Sequence, residues 1–217
     1  GVFNDINQAK NFLDKSNFPI VIKSDNLAAG KGVYICENKE ESYQAVKEIF
    51  DGKFGAAKNV LIEEFLEGEE MSYFIVSDGK TFKYFGSAQD HKRVGEGDKG
   101  KNTGGMGAYS PAPILSEAVL NKTMERIIRP TVREMVTRGM PFTGVLYAGL
   151  MIKESNPRLV EYNVRFGDPE CQVLMMRLGG QILDALLSTA KGELRNFKLN
   201  WADDHAITVV MASNGYP

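Results

Sequence analysis

Residues 159–170 (LVEYNVRFGDPE) constrain the fold most, because a strand here would have one polar and one apolar face. Side chains alternate between the two faces of a β-strand, so Glu161, Asn163 and Arg165 would lie together. Carboxylate and amide oxygens are ligands that Mg²⁺ and Mn²⁺ prefer, and a guanidinium fits a phosphate or carboxylate group. The segment predicts a site for a charged ligand. The alternative is a surface strand with a scattered polar face.

The residues after this strand predict a turn into a helix. Asp168 is the expected N-cap, Pro169 the first helical residue and Glu170 a residue of the first turn.

The composition is that of an ordinary globular protein, with 43% hydrophobic and 25% charged residues among 217. A net charge of −2 gives no electrostatic reason to expect nucleic acid as a partner. No apolar run reaches the roughly 18 residues of a membrane span, so no membrane partner is expected. Cys36 and Cys171 lack the spacing of a metal site and fit thiols in a reducing cytoplasm, which is the predicted location.

The two ends of the chain indicate a part of a longer protein. The chain starts at Gly1 and is quickly in a helix-like segment, and it stops directly after a strand-like run at 207–212. We expect 204–217 to begin a further, truncated domain.

Hydrophobic periodicity predicts two α+β units before that segment, at 1–68 and 69–203. The first is expected to contain a helix ending near residue 15, strands at 20–23, 33–36 and 60–66, and a helix at 39–50. The second is expected to contain strands at 71–76, 81–85, 145–152 and 159–164, a helix that starts after Ser116 and is kinked by Pro130, and helices at 169–178 and 181–190.

Glycine and turn residues predict the connections of the second unit. Asp78-Gly79 and Asn156-Pro157 are expected to form hairpin turns. The glycine-rich, charged stretch 86–107 is expected to be one long mobile loop, which in a compact domain is usually functional or disordered.

Residues 24–32 form the small-residue tip of a predicted hairpin between the first two strands. Such a tip lets backbone N–H groups approach phosphate oxygens closely, and Lys23 and Lys31 add positive charge. The stretch 30–32 is not a P-loop, because Lys31 is followed by Gly and no helix opens there. Phosphate binding is one interpretation, and a flexible hairpin with a solvated lysine is the other.

Two further polar stretches have both a functional and a plain interpretation. The backbone of 63–70 (EEFLEGEE) offers hydrogen bonds to a nucleotide base, with Glu70 at the ribose; the alternative is an acidic, solvated connector. The stretches 90–93 (DHKR) and 102–107 (NTGGMG) offer charge and consecutive backbone N–H groups that suit an anion. For His91, the alternative is a solvated loop histidine.

The order of these motifs resembles the ATP-grasp superfamily and, within it, the glycinamide ribonucleotide synthetase (phosphoribosylamine–glycine ligase) family. The most specific stretches are NTGGMGAYSPAP (102–113) and RFGDPE (165–170). The others are IVIKSDNLAAGKGV (20–33), LIEEFLEGEE (61–70), SAQDHKRV (87–94), MERIIRPTV (124–132), GVLYAGLMI (144–152) and EYNVRFGDPE (161–170).

The resemblance implies an α+β ATP-grasp fold, in which two α+β lobes hold ATP between their antiparallel sheets. It implies ATP and Mg²⁺ or Mn²⁺ as cofactors, and by position it implies Glu161 and Asn163 as the metal ligands. Strand 145–152 has no carboxylate, so no further metal ligand is expected from that strand. The residues expected at ATP are Lys23, Ala29, Gly30, Lys31 and Gly32 for the phosphates, Glu63, Glu64, Phe65 and Leu66 for the adenine, and Glu70 for the ribose.

The resemblance also implies catalytic and substrate-binding residues. Lys23, Arg165 and Asp168 are the expected catalytic residues, and Arg165 is expected to contact the γ-phosphate and an acyl phosphate. Contacts to the other substrates are expected from Asp90, His91, Arg93, Gly104, Gly105 and Arg165.

The implied activity is an ATP-dependent ligation of de novo purine biosynthesis. Glycine and 5-phosphoribosylamine are the implied substrates, and they are joined through a glycyl phosphate to give glycinamide ribonucleotide, ADP and phosphate. The implied partners are N-terminal and C-terminal domains of the same protein, so the fragment alone is expected to be inactive. The alternatives are a nucleotide-binding module without turnover and another purine-pathway ATP-grasp ligase.

Overall fold

A computed structural model describes residues 1–26, 32–97 and 99–216. The chain forms two compact units, Gly1–Leu66 and Glu67–Pro217. None of the helices in the described part of the chain has both the length and the apolar run that a membrane crossing needs.

The first unit is a four-stranded antiparallel sheet with two helices. Its elements are β1 (Val2–Phe3), α1 (Ile6–Leu13), β2 (Ile20–Ser24), β3 (Val33–Cys36), α2 (Lys39–Phe50) and β4 (Val60–Glu64), and its strand order is β1-β4-β2-β3. The predicted helices, strands and β2–β3 hairpin are confirmed. Side chains that cap the helix N-termini explain where the helices begin: Asp5 accepts hydrogen bonds from two backbone N–H groups of α1, and Asn38 accepts one from α2.

The core of the first unit lies between the helices and one face of the sheet. Ile20 and Ile22 of β2 are buried there, together with Leu13, Val46 and Ile49. The alternate residues of β2, Val21 and Lys23, point to the opposite face of the sheet, which the helices do not cover.

The second unit is a six-stranded antiparallel sheet with helices on both faces. Its strands are β5 (Glu69–Asp78), β6 (Phe82–Asp90), β9 (Gly107–Ser110), β10 (Thr143–Lys153), β11 (Asn156–Asn163) and β12 (Ala206–Val209), in the order β11-β10-β5-β6-β9-β12. A separate hairpin consists of β7 (Arg93–Gly95) and β8 (Lys99–Asn102). The helices are α3 (Glu117–Thr123), a π-helical segment (Met124–Ile128), α4 (Arg129–Thr137), α5 (Glu170–Leu178), a 3₁₀ turn (Gly179–Gln181) and α6 (Ile182–Lys191).

Alternation along the central strand β5 assigns the helices to the two faces of this sheet. Tyr73 and Ile75 pack in the cluster that includes α3 and α4. Phe74 and Val76 pack in the cluster that includes α5 and α6. Because both faces are covered, every residue of 71–78 is buried.

The helix that starts after Ser116 contains the π-helical segment, which ends at Ile128, two residues before Pro130. Ser116 is the N-cap, as predicted, and the Arg129 N–H donates to the Met124 carbonyl, five residues earlier. Proline has no N–H to donate, and its ring clashes with the carbonyl four residues before it in a regular α-helix. A π-helical turn is one way to accommodate it.

The prediction of one long loop at 86–107 is wrong. β6 continues to Asp90, with residues 86–89 buried, and β7, β8 and β9 follow. Small and polar residues such as Ser87, Ala88 and Gln89 do not produce the hydrophobic pattern of a strand. They nevertheless pack in one here, because both faces of the sheet are covered.

Two predictions about local chain geometry are also wrong. The turn between β10 and β11 lies at Glu154 and Ser155, which both have positive φ, and not at Asn156-Pro157. Pro157 is tolerated within β11 because that strand is at the edge of the sheet. Asp168 is not the N-cap of α5, because Pro169 occupies that position and makes no side-chain cap bond.

The segment 204–217 includes β12, which pairs with β9 and so extends the sheet of the second unit. The assignment of this segment to a further domain, and the boundary at 68, stay predictions.

Candidate active site

In the first unit, Lys23 and Glu63 form an ion pair on the open face of the sheet. The Lys23 Nζ atom lies 2.6 Å from Glu63 Oε2. Lys23 is opposite Val33 across the β2–β3 ladder, and Val21 is opposite Ile35, so these side chains share the face. Val33 and Ile35 are 45% and 52% exposed. A flat apolar surface with a few polar groups suits a planar ligand with a charged substituent.

The structure describes some of the predicted nucleotide-binding residues next to this ion pair and does not describe others. β4 ends at Glu64, and Phe65 and Leu66 follow it as partly buried residues outside the ladder. Gly32 closes the hairpin, because its carbonyl accepts from the Ser24 N–H at 2.9 Å. The expected phosphate-binding residues Ala29, Gly30 and Lys31 lie outside the described residues.

In the second unit, Glu161 and Asn163 lie on one face of β11. The Asn163 amide donates to Glu161 Oε1 at 3.0 Å. Glu161 is opposite Gly149 of β10, and Asn163 is opposite Tyr147. A carboxylate and an amide so close together form an oxygen donor pair of the kind that binds Mg²⁺ or Mn²⁺. The described residues contain no group of three or more His, Cys, Asp or Glu that could hold a metal ion, and the role of Glu161 and Asn163 as metal ligands stays a prediction.

Lys92 lies among carboxylates of the same unit. Its Nζ is 2.5 Å from Glu70 Oε2 and 3.9 Å from Asp90 Oδ2. Burial alone would lower the pKa of Lys92, but the charges of Asp90 and Glu70, with a smaller effect of Glu161, raise it above its ordinary value. The ammonium group of Lys92 is therefore protonated at neutral pH.

Asp90 is the most perturbed carboxyl group of this cluster. Its side chain is only 6% exposed. Burial raises the pKa of Asp90 to about 6, and the charges of Glu170 and Glu70 add to the effect while Lys92 opposes it. A carboxyl group with such a pKa is suited to exchanging a proton or binding a cation near neutral pH.

Lys92 and the buried group Ser72, Tyr147 and Glu170 are not among the predicted site residues. Ser72 Oγ donates to Glu170 Oε1 at 2.8 Å and lies 2.9 Å from the Tyr147 hydroxyl. The sequence spacing in α5 could have indicated that Glu170 is buried, because Glu170 shares one helix face with Val173 and Leu174. When a carboxylate and two apolar residues follow the spacing i, i+3, i+4 on a helix, the carboxylate is expected to share the buried face.

The segment 102–107 packs against the turn before α5. A Cβ atom on Gly105 would come 2.9 Å from the Asp168 carbonyl and would also overlap the Pro169 ring. Backbone N–H groups expected to bind an anion are engaged within the chain: the Gly105 N–H donates to Thr103 Oγ1, and the Gly104 N–H to the Tyr216 hydroxyl. The substrate-binding roles of Gly104 and Gly105 stay predictions.

The remaining predicted residues make local contacts. The His91 ring is tilted against the Tyr109 ring, with ring centroids 5.5 Å apart, and the Arg93 guanidinium donates to the Gly100 carbonyl of its own hairpin. Arg165 lies beyond the end of β11, is exposed and donates to the Phe166 carbonyl at 2.8 Å, so it does not continue the strand face of Glu161 as predicted.

Asp168 is exposed, and its Oδ1 atom accepts from the Gln172 amide at 2.8 Å. The structure therefore gives it a contact along α5 in place of the predicted cap. Its catalytic role, like that of Arg165, stays a prediction.

Comparison with known proteins gives consistent matches. The family described as "Phosphoribosylglycinamide synthetase, ATP-grasp (A) domain" matches residues 1–171. The phosphoribosylamine–glycine ligase of Rhizobium meliloti (strain 1021) is 56% identical over 216 residues, which are 99% of this chain and 51% of that protein. The chain thus spans about half the length of the curated relatives it matches.

Solved structures agree with the fold. The crystal structure of phosphoribosylamine–glycine ligase from Thermotoga maritima superposes with a TM-score of 0.93 at 34% identity, covering 100% of this chain and 55% of that one. The biotin carboxylase domain of Hydrogenobacter thermophilus 2-oxoglutarate carboxylase has a TM-score of 0.67 at 19% identity, covering 95% of this chain and 44% of that one, which is a likeness of fold alone. The chain has the α+β ATP-grasp fold and belongs to the phosphoribosylglycinamide synthetase ATP-grasp (A) domain family.

Proposed function

We propose that this chain is the ATP-binding part of a phosphoribosylamine–glycine ligase of de novo purine biosynthesis, which joins glycine to 5-phosphoribosylamine. The observation that carries the proposal is the 56% identity to a protein of that name over nearly the whole chain. The cytoplasm is the proposed location.

The proposed nucleotide contacts of the first unit start from the ion pair on its open sheet face. Lys23 would neutralise phosphate charge, together with Gly32 and the neighbouring residues 29–31. The apolar side chains around the pair suit a purine ring, and the backbone of 63–66 would meet its polar edge. Glu70 of the second unit would meet the ribose, which requires its contact with Lys92 to open or to be shared.

The proposed metal ligands are Glu161 and Asn163, whose oxygen donors fit Mg²⁺ or Mn²⁺. A bound cation would supply neutralisation of phosphate charge at this point. The chain's own residues hold the carboxylate and the amide on one strand face and place the positive charge of Lys92 close by.

The proposed reaction has two displacement steps. A carboxylate oxygen of glycine attacks the γ-phosphorus of ATP, ADP leaves, and glycyl phosphate forms. The amine of 5-phosphoribosylamine then attacks the carbonyl carbon, and phosphate leaves as the amide bond forms and the nitrogen loses a proton. Arg165 and Lys23 would stabilise charge on the transferred phosphoryl group. An acyl phosphate must be kept from water, so the site needs cover by the loops around it.

The partners proposed for the whole protein are the domains that this chain does not include. Because the chain spans about half of its relatives, we expect it to bind nucleotide without completing the reaction.

The test is phosphate release by the full-length protein with ATP and glycine, with and without 5-phosphoribosylamine. Release that requires glycine supports the ligase, and Glu161→Ala should abolish it without unfolding the protein. Nucleotide binding with no release would support a module without turnover. Release that requires a different acid or amine would support another purine-pathway ligase. Normal turnover by Glu161→Ala would show that the metal assignment is wrong.

A further inference from the structure

Glu170 is a buried carboxylate in the first turn of α5, only 2% exposed. A buried carboxylate is costly unless hydrogen bonds compensate for lost water. Ser72 Oγ supplies such a bond at 2.8 Å. Ser72 has one hydroxyl proton, so the Tyr147 hydroxyl, 2.9 Å away, is the donor in its contact with Ser72. Burial first, and then the charge of Glu170, raise the pKa of Tyr147, which keeps this donor protonated.

The three residues form a network on the same sheet face as the proposed metal ligands. Ser72 on β5 is opposite Gly149 on β10, and Gly149 is opposite Glu161 on β11, so they form one row across three strands. Tyr147 and Asn163 are opposite each other in the next row of this face. Glu170 is therefore bonded to the strand rows that hold Glu161 and Asn163.

Glu170 also supports the turn 164–169, which carries Arg165. A Cβ atom on Gly167 would overlap the Glu170 carboxylate, so the turn lies directly against it. The Cys171 N–H donates to the Gly167 carbonyl at 3.0 Å, and the Phe166 ring packs on Phe85 with centroids 5.5 Å apart. The turn thus has a polar support on one side and an aromatic support on the other.

We propose that Glu170, held by Ser72 and Tyr147, is a positioning residue that fixes the turn carrying Arg165 relative to the Glu161–Asn163 strand. The inference rests on the proposed function, in which Arg165 meets the terminal phosphate of ATP. Glu170 touches neither nucleotide nor metal in this proposal; it acts through the turn.

The test compares the affinity of this chain for a non-hydrolysable ATP analogue with its affinity for ADP, both with Mg²⁺, by titration calorimetry. A general weakening of the fold would change both affinities together. Loss of the correct Arg165 position would weaken binding of the ATP analogue, which carries a γ-phosphate group, and would leave the affinity for ADP unchanged. We expect Ser72→Ala and Glu170→Gln each to lower the ratio of the two affinities about tenfold, as supporting partners of functional groups commonly do.

Ser77→Ala is the matched control. Ser77 is also a buried serine of β5, and its hydroxyl donates to the Phe142 carbonyl at 2.8 Å, away from this network. It should lower the melting temperature but leave the ratio unchanged. In an Arg165→Ala background, Glu170→Gln should produce no further change in the ratio.

The outcomes separate the two proposals. If the unmutated chain prefers the ATP analogue but Ser72→Ala and Glu170→Gln, both still folded, keep the full ratio, the positioning role is refuted and the nucleotide site stands. Tyr147→Phe, which removes only a hydroxyl, decides the case if Glu170→Gln does not fold. If the unmutated chain binds neither nucleotide, the proposed site fails and this inference fails with it.

Discussion

Gly149 is opposite Glu161 in the β10–β11 ladder, and a Cβ atom on Gly149 would lie 3.4 Å from Glu161 Cγ. The Glu161 side chain therefore lies over the neighbouring strand, where its charge contributes to the raised pKa of Lys92. The missing side chain at position 149 makes room for this arrangement. The geometry of the proposed metal site thus depends on a residue that has no side chain.

A side chain larger than a methyl group at position 149 should weaken metal binding. Gly149→Ala adds a methyl group at ordinary contact distance and should bind Mn²⁺ normally, whereas the branched side chain of Gly149→Val should displace Glu161 and lower the affinity about tenfold. Electron paramagnetic resonance of free Mn²⁺ in the presence of ADP measures this directly. Equal affinities for the two variants would show that Glu161 does not need the space.

Removing the charge of Lys23 should affect nucleotide binding far more than folding. A partly exposed ion pair contributes about 0–1 kcal/mol, so Lys23→Met should change the free energy of unfolding by less than about 1 kcal/mol. Its affinity for ATP should fall about tenfold, the size expected when one phosphate contact worth about 1.4 kcal/mol is lost. Lys47→Met, which breaks the exposed ion pair between Lys47 of α2 and Asp51, the residue after that helix, should change neither quantity. A drop in stability without a drop in affinity would assign Lys23 a structural role instead.

The stability of the second unit should respond to the ionisation of Asp90. Its pKa is raised from 3.8 to about 6, so between about pH 4 and pH 6 the folded chain keeps a proton that the unfolded chain has lost. Ionisation of this group therefore reduces the free energy of unfolding as the pH rises through that window, by roughly 2–3 kcal/mol in full.

Asp90→Asn should accordingly be more stable, relative to the unmutated chain, at pH 7 than at pH 4.5, as measured by urea unfolding. The control is Asp203→Asn, which removes an exposed carboxylate of the same unit and is measured at the same two pH values. If the free energy of unfolding of Asp90→Asn and that of the unmutated chain changed equally with pH, Asp90 would have an ordinary pKa in the folded chain.

Gly105 should be among the least replaceable glycines. Its φ of +125° is unfavourable for other residues, and a Cβ atom would also overlap Pro169. We expect Gly105→Ala to lower the free energy of unfolding by more than about 2 kcal/mol, the sum of strain and overpacking. Gly97, at φ +70° with nothing within 4 Å of its Cβ position, isolates the strain alone, so Gly97→Ala should cost only about 1 kcal/mol. Equal effects in a melting experiment would disprove the close packing.

Local sequence signals predicted most of the elements. Asp78-Gly79 predicted its hairpin because Asp78 accepts from the Lys80 and Thr81 N–H groups while Gly79 takes positive φ. Ser116 predicted a helix start for a similar local reason. Such signals act within a few residues and need no knowledge of the rest of the chain.

Tertiary packing decided the features that the sequence did not predict. The extension of β6 through Ser87 depends on cover from both sides, and the hairpin turn at Glu154 depends on the register between β10 and β11. In the site, Glu161 and Asn163 followed from alternation alone. The bond from Ser72 to Glu170 joins residues 98 positions apart, so no local pattern could indicate it.

The edge strand β12 exposes apolar side chains to solvent. Ile207 and Val209 are 68% and 72% exposed, and they lie on the outermost strand of the six-stranded sheet. An apolar edge strand offers unpaired backbone groups to a second copy, which favours self-association as the concentration rises. Ile207→Lys places a charge on that edge and should keep the chain monomeric at high concentration.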